Sequence, residues 1–221
     1  MENNYKSAFI MSNDLNRLIK ATEIFVTESI TNTRSGYIRL DFCKDLSSVT
    51  AISVDGYRMS VEHSVISYCS QDFSVYIKKS VRFPRNKVVE ITSDDSEVAL
   101  RCDGFMIGFE QPDLKTFEYQ NAIPSSDPIF KIAFNGNYLL SAIKAAKASC
   151  GNSFKDPVIL EFRGKNQPVV IRTNKEDIKI VMPMRLRDWY MLTSYIDVGG
   201  MIYEDNCIKS ASDCFLWTFW Q

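Results

Sequence analysis

Two pairs of cations pose the first chemical question. Arg17 and Lys20 stand three residues apart, and Lys144 and Lys147 repeat that spacing far downstream. Around both pairs the apolar residues recur at helical period, so each pair projects from the side of a helix turned away from its core. Cations placed this way meet phosphates without reading base sequence. An ordinary solvated helix face gives the same pattern, and spacing alone leaves both readings open. Residues for covalent or metal chemistry are sparse. His63 is the single histidine and falls in a strand-like run. Cys43, Cys69, Cys102, Cys150, Cys207 and Cys214 form no C-x-x-C pair, which argues against zinc and fits reduced, buried thiols. The sequence shows no Gly-rich phosphate loop and no acidic cluster with metal-ligand spacing. A binding protein rather than an enzyme is expected, with no cofactor and no metal.

Charge is sorted along the chain. The net charge is −1, yet residues 123–187 carry 11 Lys/Arg against 5 Asp/Glu, between two acidic stretches. A near-neutral total thus hides a basic segment, and one face can be offered to phosphates while the rest repels them. No run approaches the roughly 18 apolar residues of a membrane span, and the N-terminus lacks a signal-peptide pattern, so a cytoplasmic protein is expected.

The elements that must position these residues form a repeat. Residues 13–26 predict an amphipathic helix, capped by Ser12 or Asn13, with Leu15, Leu18, Ile19, Thr22, Phe25 and Val26 inward. A polar loop and strands at 37–42, 49–54 and 58–67 follow. The same order returns with a strand at 130–134 and a helix at 137–149 whose Leu139, Leu140, Ala142, Ile143 and Ala146 face a core. Strands at 158–163, 169–172 and 177–182 complete it. Between the two lies a weaker copy, with strands at 73–77, 88–91, 97–101 and 105–109. Its short helical part, 78–87, is broken by Pro84. Repetition at this period predicts an α+β, repeat-built fold. Residues after 187 differ: Trp189, Trp217 and Trp220 cluster there with Tyr190, Tyr195, Tyr203, Phe215 and Phe219, a terminus expected to pack on this chain or a partner.

Two short stretches go beyond pattern: Ser53-Val54-Asp55-Gly56-Tyr57-Arg58-Met59 and Ile180-Val181-Met182-Pro183-Met184-Arg185-Leu186. Together they resemble the bacterial sliding clamp, the β subunit of DNA polymerase III, which carries T-D-G-H-R-L in its middle domain and ends on V-M-P-M-R-L. Leu15 to Thr22, Thr116 to Pro124 and Phe134 to Leu140 are similar to further clamp segments, in the right order. The resemblance covers about residues 5–187. It implies a DNA-clamp architecture of repeated β-α-β-β-β units, with helices on one face of a curved antiparallel sheet. The implied division is a two-unit domain at 1–124 with a degenerate second unit, a third unit at 125–187, and an aromatic, acidic extension at 188–221.

The resemblance also implies a role: a shortened processivity factor that tethers DNA polymerase to double-stranded DNA without sequence preference. Arg17, Lys20, Lys144 and Lys147 would then face the DNA. The family's second site, a hydrophobic pocket for short linear motifs of polymerases and the clamp loader, carries over onto Tyr37, Val54, Gly56, Tyr57, Arg58, Met59, Tyr138, Met182, Pro183, Met184, Arg185 and Leu186. Methionines suit varied peptides, aromatic anchors supply binding energy, and Gly56 allows close backbone approach. Val54 and Tyr57 replace the family's threonine and histidine, and Ser35-Gly36 stand where it often has bulky DNA-contacting aromatics. The chain holds half as many units as the family's chains, so a homo-oligomer pairing its sheet edges is expected. The alternative is a clamp-derived interaction module that binds clamp partners without encircling DNA.

Overall fold

A computed structural model describes residues 5–27, 33–149, 157–173 and 177–185. It divides into two units, with the boundary between Ala122 and Ile123.

The first unit is built from two copies of one motif that exchange their opening strands. The first copy runs β1 (Lys6–Met11), α1 (Ser12–Thr22), β2 (Ile38–Cys43), β3 (Ser48–Val54) and β4 (Met59–Val65), followed by the short β5 (Tyr68–Cys69). The second runs β6 (Phe73–Ile77), β7 (Val88–Ser93), β8 (Glu97–Cys102) and β9 (Phe105–Glu110). The two sheets have the orders β5-β1-β7-β8-β9 and β4-β3-β2-β6. β1 therefore lies in the second copy's sheet, in antiparallel register Lys6↔Ser93 to Met11↔Val88. β6 lies in the first copy's sheet, in register Ile38↔Ile77 to Phe42↔Phe73. Each copy is completed by the other, and one core joins them.

That core follows from strict alternation. β2 buries Ile38, Leu40 and Phe42, β6 buries Phe73, Val75 and Ile77, and β8 buries Val98, Leu100 and Cys102. α1 inserts Leu15, Leu18 and Ile19 between them, each fully buried. Truncating any one of the three to alanine costs roughly 2–5 kcal/mol. The end of the helix is satisfied by a neighbour: Ser53 donates its hydroxyl to the Thr22 carbonyl at 2.7 Å. A 3₁₀ turn, Glu23–Phe25, continues the helix, and a second one, Thr33–Gly36, lies in the expected polar loop.

Several expectations are corrected here. Neither Ser12 nor Asn13 caps α1: the N-cap is Met11, with no side-chain bond. Ser12 is buried, and its hydroxyl accepts the Lys87 N–H at 3.1 Å. Segment 78–87 forms no helix, because Pro84 lacks an amide donor and Val81 and Phe83 are buried without helical spacing. β1 and β5 were not expected at all. Of the thiols, Cys69 and Cys102 are buried and Cys43 only partly so; burial pushes the Cys69 thiol up, which suits an inert side chain. Cys150, Cys207 and Cys214 lie outside the described residues, as do all the aromatic residues after 187.

Among the described residues the second unit holds one further copy: β10 (Ala133–Phe134), α2 (Gly136–Ser149), β11 (Ile159–Glu161), β12 (Val169–Arg172) and β13 (Lys179–Val181). Its sheet order is β11-β12-β13. Ala146, Val169, Ile171 and Val181 form its core, with Phe134, Leu139, Ala142, Ile143 and Val158 packed against them. Leu140, expected inward, is 51% exposed, because the core side of α2 is a narrow stripe centred on Ala146. β10, with no counterpart of β7 beside it among the described residues, pairs instead with β14 (Pro183–Met184), in register Ala133↔Met184 and Phe134↔Pro183. The expected strand at 130–134 is thereby reduced to two residues.

Candidate peptide pocket and nucleic-acid interface

The family-like turn between β3 and β4 is held by its own acid. The Asp55 carboxylate accepts the backbone N–H of Tyr57 at 3.0 Å and that of Arg58 at 2.9 Å. Its other oxygen accepts Arg58 Nε at 2.9 Å. The Arg58 guanidinium, then the Tyr57 amide, hold the Asp55 carboxyl below its ordinary range. The guanidinium also lies over the Phe25 ring, 4.9 Å from its centroid, so the arginine is pinned on two sides. Gly56 has a φ of 90°, while a Cβ there would meet nothing within 4 Å. Its role within this chain is therefore conformational freedom rather than close approach. Tyr57, next to it, is 98% exposed and Met59 half-buried.

Tyr37 and Val54 belong to a different place. They line a cleft with Arg34, Arg39, Tyr76 and Phe117 whose free cavity is about 20 Å³. The following segment of the chain fills it. Arg34 donates to the Lys115 carbonyl at 2.8 Å and sits over the Phe117 ring, and Arg39 donates to the Phe117 carbonyl at 2.8 Å. Sequence reasoning missed Arg34, Arg39 and Phe117 here, since nothing in local spacing marks residues 115–117 as a plug on β2 and β3.

In the second unit Met184 and Arg185 line a larger cavity of about 630 Å³ with Ile129, Phe130, Lys131 and Asn166. Ile129 is 98% exposed. Met182 and Tyr138 are exposed as well, and Pro183 is half-buried within β14. Leu186 lies outside the described residues. The twelve residues assigned to one pocket thus fall on two units: Tyr37 and Val54 share a cleft, residues 56–59 form an adjacent turn, and Met184 and Arg185 share a cavity.

The four cations expected to face DNA are all exposed, on helices whose opposite sides are buried. Lys20 carries no ion pair among the described residues. Arg17 is partly engaged, donating to the His63 carbonyl at 2.7 Å and approaching Glu62 at 3.5 Å. His63 itself is in β4, its Nδ1 3.0 Å from the Thr50 hydroxyl, a structural place. No group of three or more metal-ligating side chains occurs among the described residues. No described helix is long and apolar enough to cross a membrane. The helix cations offer binding chemistry for phosphates, and the second unit's cavity offers it for apolar side chains.

No family model matches the sequence. No curated protein matches it either. Solved structures do. A putative DNA polymerase III β subunit from Eubacterium rectale superposes with a TM-score of 0.70 at 15% identity, covering 80% of this chain and 50% of that one. The DNA polymerase sliding clamp of Bacillus subtilis gives 0.69 at 14% identity, covering 80% and 49%. The Helicobacter pylori β clamp, bound to a DNA ligase peptide, gives 0.66 at 13% identity, covering 83% and 51%. The chain has the sliding-clamp fold and spans about half the length of the clamps it matches.

Proposed function

We propose that this protein is a shortened sliding clamp: a cytoplasmic, non-enzymatic processivity factor that assembles with copies of itself around duplex DNA and docks partner peptides. The observation that carries this reading is the clamp fold combined with cations on the solvent side of both helices, Arg17 and Lys20 on α1 and Lys144 and Lys147 on α2. In a ring with helices inward these side chains meet phosphates, giving weak, sequence-independent and salt-sensitive association. The residues proposed for peptide docking are Tyr37, Val54 and the 56–59 turn in the first unit, and, separately, the 182–186 run in the second. The solved H. pylori clamp with its ligase peptide supports a partner of that kind. DNA polymerase and the clamp loader are the proposed ligands, through short linear motifs.

A second reading is favoured by one observation. Among the described residues the second unit holds a single copy of the motif where the first holds two, which suits an interaction module that binds clamp partners without encircling DNA. Retention on nicked circular DNA separates the two. An encircling clamp stays on the circle and slides off the same DNA once linearised, and Lys144→Glu with Lys147→Glu abolishes retention without lowering the melting temperature. Equal behaviour on both DNA forms would refute encirclement.

A further inference from the structure

Where the second copy of the motif calls for a helix, between β6 and β7, the chain runs residues 78–87 as a strap antiparallel to α1. The Glu23 carboxylate, at the end of α1, takes the Ser80 amide at 3.2 Å and the Arg82 guanidinium. Midway, Asn16 donates to the Phe83 carbonyl at 2.9 Å and accepts the Phe83 amide at 3.0 Å. At the start of the helix Asn13 bonds Asn86, and Ser12 bonds Lys87. Val81 and Phe83 point into the core, so the strap is anchored from beneath as well as from the side. Left-handed turns at Ser80 (φ 73°) and Asn86 (φ 57°) bracket it.

Its outward side chains are cationic: Lys78, Lys79, Arg82, Arg85 and Lys87 are all exposed, and no acidic residue occurs between Asp72 and Glu90. Asn13, Asn16, Arg17 and Lys20 lie on one side of α1, so the strap that bonds the two asparagines runs beside the two cations. The neighbouring carboxylates answer only part of this charge. Arg82 pairs with Glu23, Lys87 with Asp103 at 3.0 Å and Arg17 with Glu62, while Lys78, Arg85 and Lys20 have no ion pair among the described residues.

We propose that this strap is a phosphate-contact site for the backbone of duplex nucleic acid, doing with an extended segment what a second helix would otherwise do. The inference rests on the DNA-tether reading above and deepens it. A duplex suits the site better than a membrane because the strap's apolar residues, Val81 and Phe83, are turned inward and leave no anchor to insert. It suits the site better than a flexible acidic peptide because a fixed row of cations matches a stiff, evenly charged rod.

Binding of a short labelled duplex to the full chain, followed by anisotropy across a salt series, tests this. Lys78→Ala with Arg85→Ala is expected to weaken binding about tenfold for unrelated sequences and to make the log–log salt slope shallower by about two. The charge-preserving exchange, Lys78→Arg with Arg85→Lys, is expected to keep both. Wild-type binding that the alanine pair leaves unchanged overturns the strap and leaves the DNA-tether reading standing. Equal loss in the charge-preserving pair also overturns it, since shape rather than charge would then matter. A wild type that binds no duplex, or that prefers phosphatidylglycerol vesicles, overturns both.

Discussion

At the scale of single residues the turn Asp55-Gly56-Tyr57-Arg58 concentrates most of what can be checked. Gly56 holds a conformation that costs an L side chain roughly 1–2 kcal/mol. Gly56→Ala is therefore expected to lower stability by about that much in urea denaturation, with no change in denaturant slope. Asp55 titrates below its ordinary value because it is bonded to Arg58 and to backbone amides. Its contribution is fully present above the unfolded-state pKa of about 3.9 and fades as pH falls from there through the folded value. Asp55→Asn should thus lower stability at neutral pH and flatten the loss of stability below about pH 4; an acid profile identical to wild type would show that the turn is not held by this charge. The turn was legible as a motif, since D-G marks a tight reversal in any sequence. The pinning of Arg58 on Phe25 and the plug of Phe117 on Arg34 and Arg39 were not, because both join residues far apart in the chain with no periodicity to connect them.

Among the elements, helices and central strands were readable because their apolar period is local. The strands β2, β3, β6 and β8 fall within a residue or two of expectation for that reason, while α1 ends at Thr22, four residues before the expected Val26, and passes into a 3₁₀ turn. β1 was not readable. Its six residues carry no flanking turn signal, and their pairing partner lies some eighty positions on. The strap fails as a helix for a reason the sequence does show, Pro84, yet its path along α1 depends on Asn16, which reads as an ordinary solvent-facing residue. Asn16→Ala leaves the amide and carbonyl of a buried phenylalanine without partners, a loss of about 1–3 kcal/mol. Asn16→Asp, which keeps one acceptor, should recover part of it. Thermal melts of the two variants check the order; equal melting temperatures for all three proteins would mean that Val81 and Phe83 alone hold the strap.

For the whole molecule the decisive feature is imbalance. Among the described residues the first unit has two interlocked copies of the motif and the second has one, with β11 and β13 at the two edges of its sheet. Ile159 and Leu160 on β11 are exposed, as are Phe105 and Met106 on the edge strand β9 of the first unit. Open edges with apolar side chains favour pairing with another chain. Light scattering at roughly tens of micromolar protein should give a multiple of the 25.3 kDa chain mass. A strictly monomeric species there would favour the non-encircling module. That the chain spans about half of a clamp could be read from the number of repeats, whereas the reuse of β14 to cover β10 could not, because it joins two-residue strands.

The exchange of opening strands in the first unit also shapes how the protein comes into being. Within the unit β1 is made well before its partner strand, whose ladder ends on Ser93, so it must wait for most of the unit to be made. Contacts so distant in sequence slow folding, since the intervening chain must be ordered before they form. Until then the core side of α1 has only its own copy's β3 and β4 to pack on. Within this unit β1 is thus made early and secured late, and the nascent chain carries an unpaired strand through the interval when chaperones or aggregation compete for it.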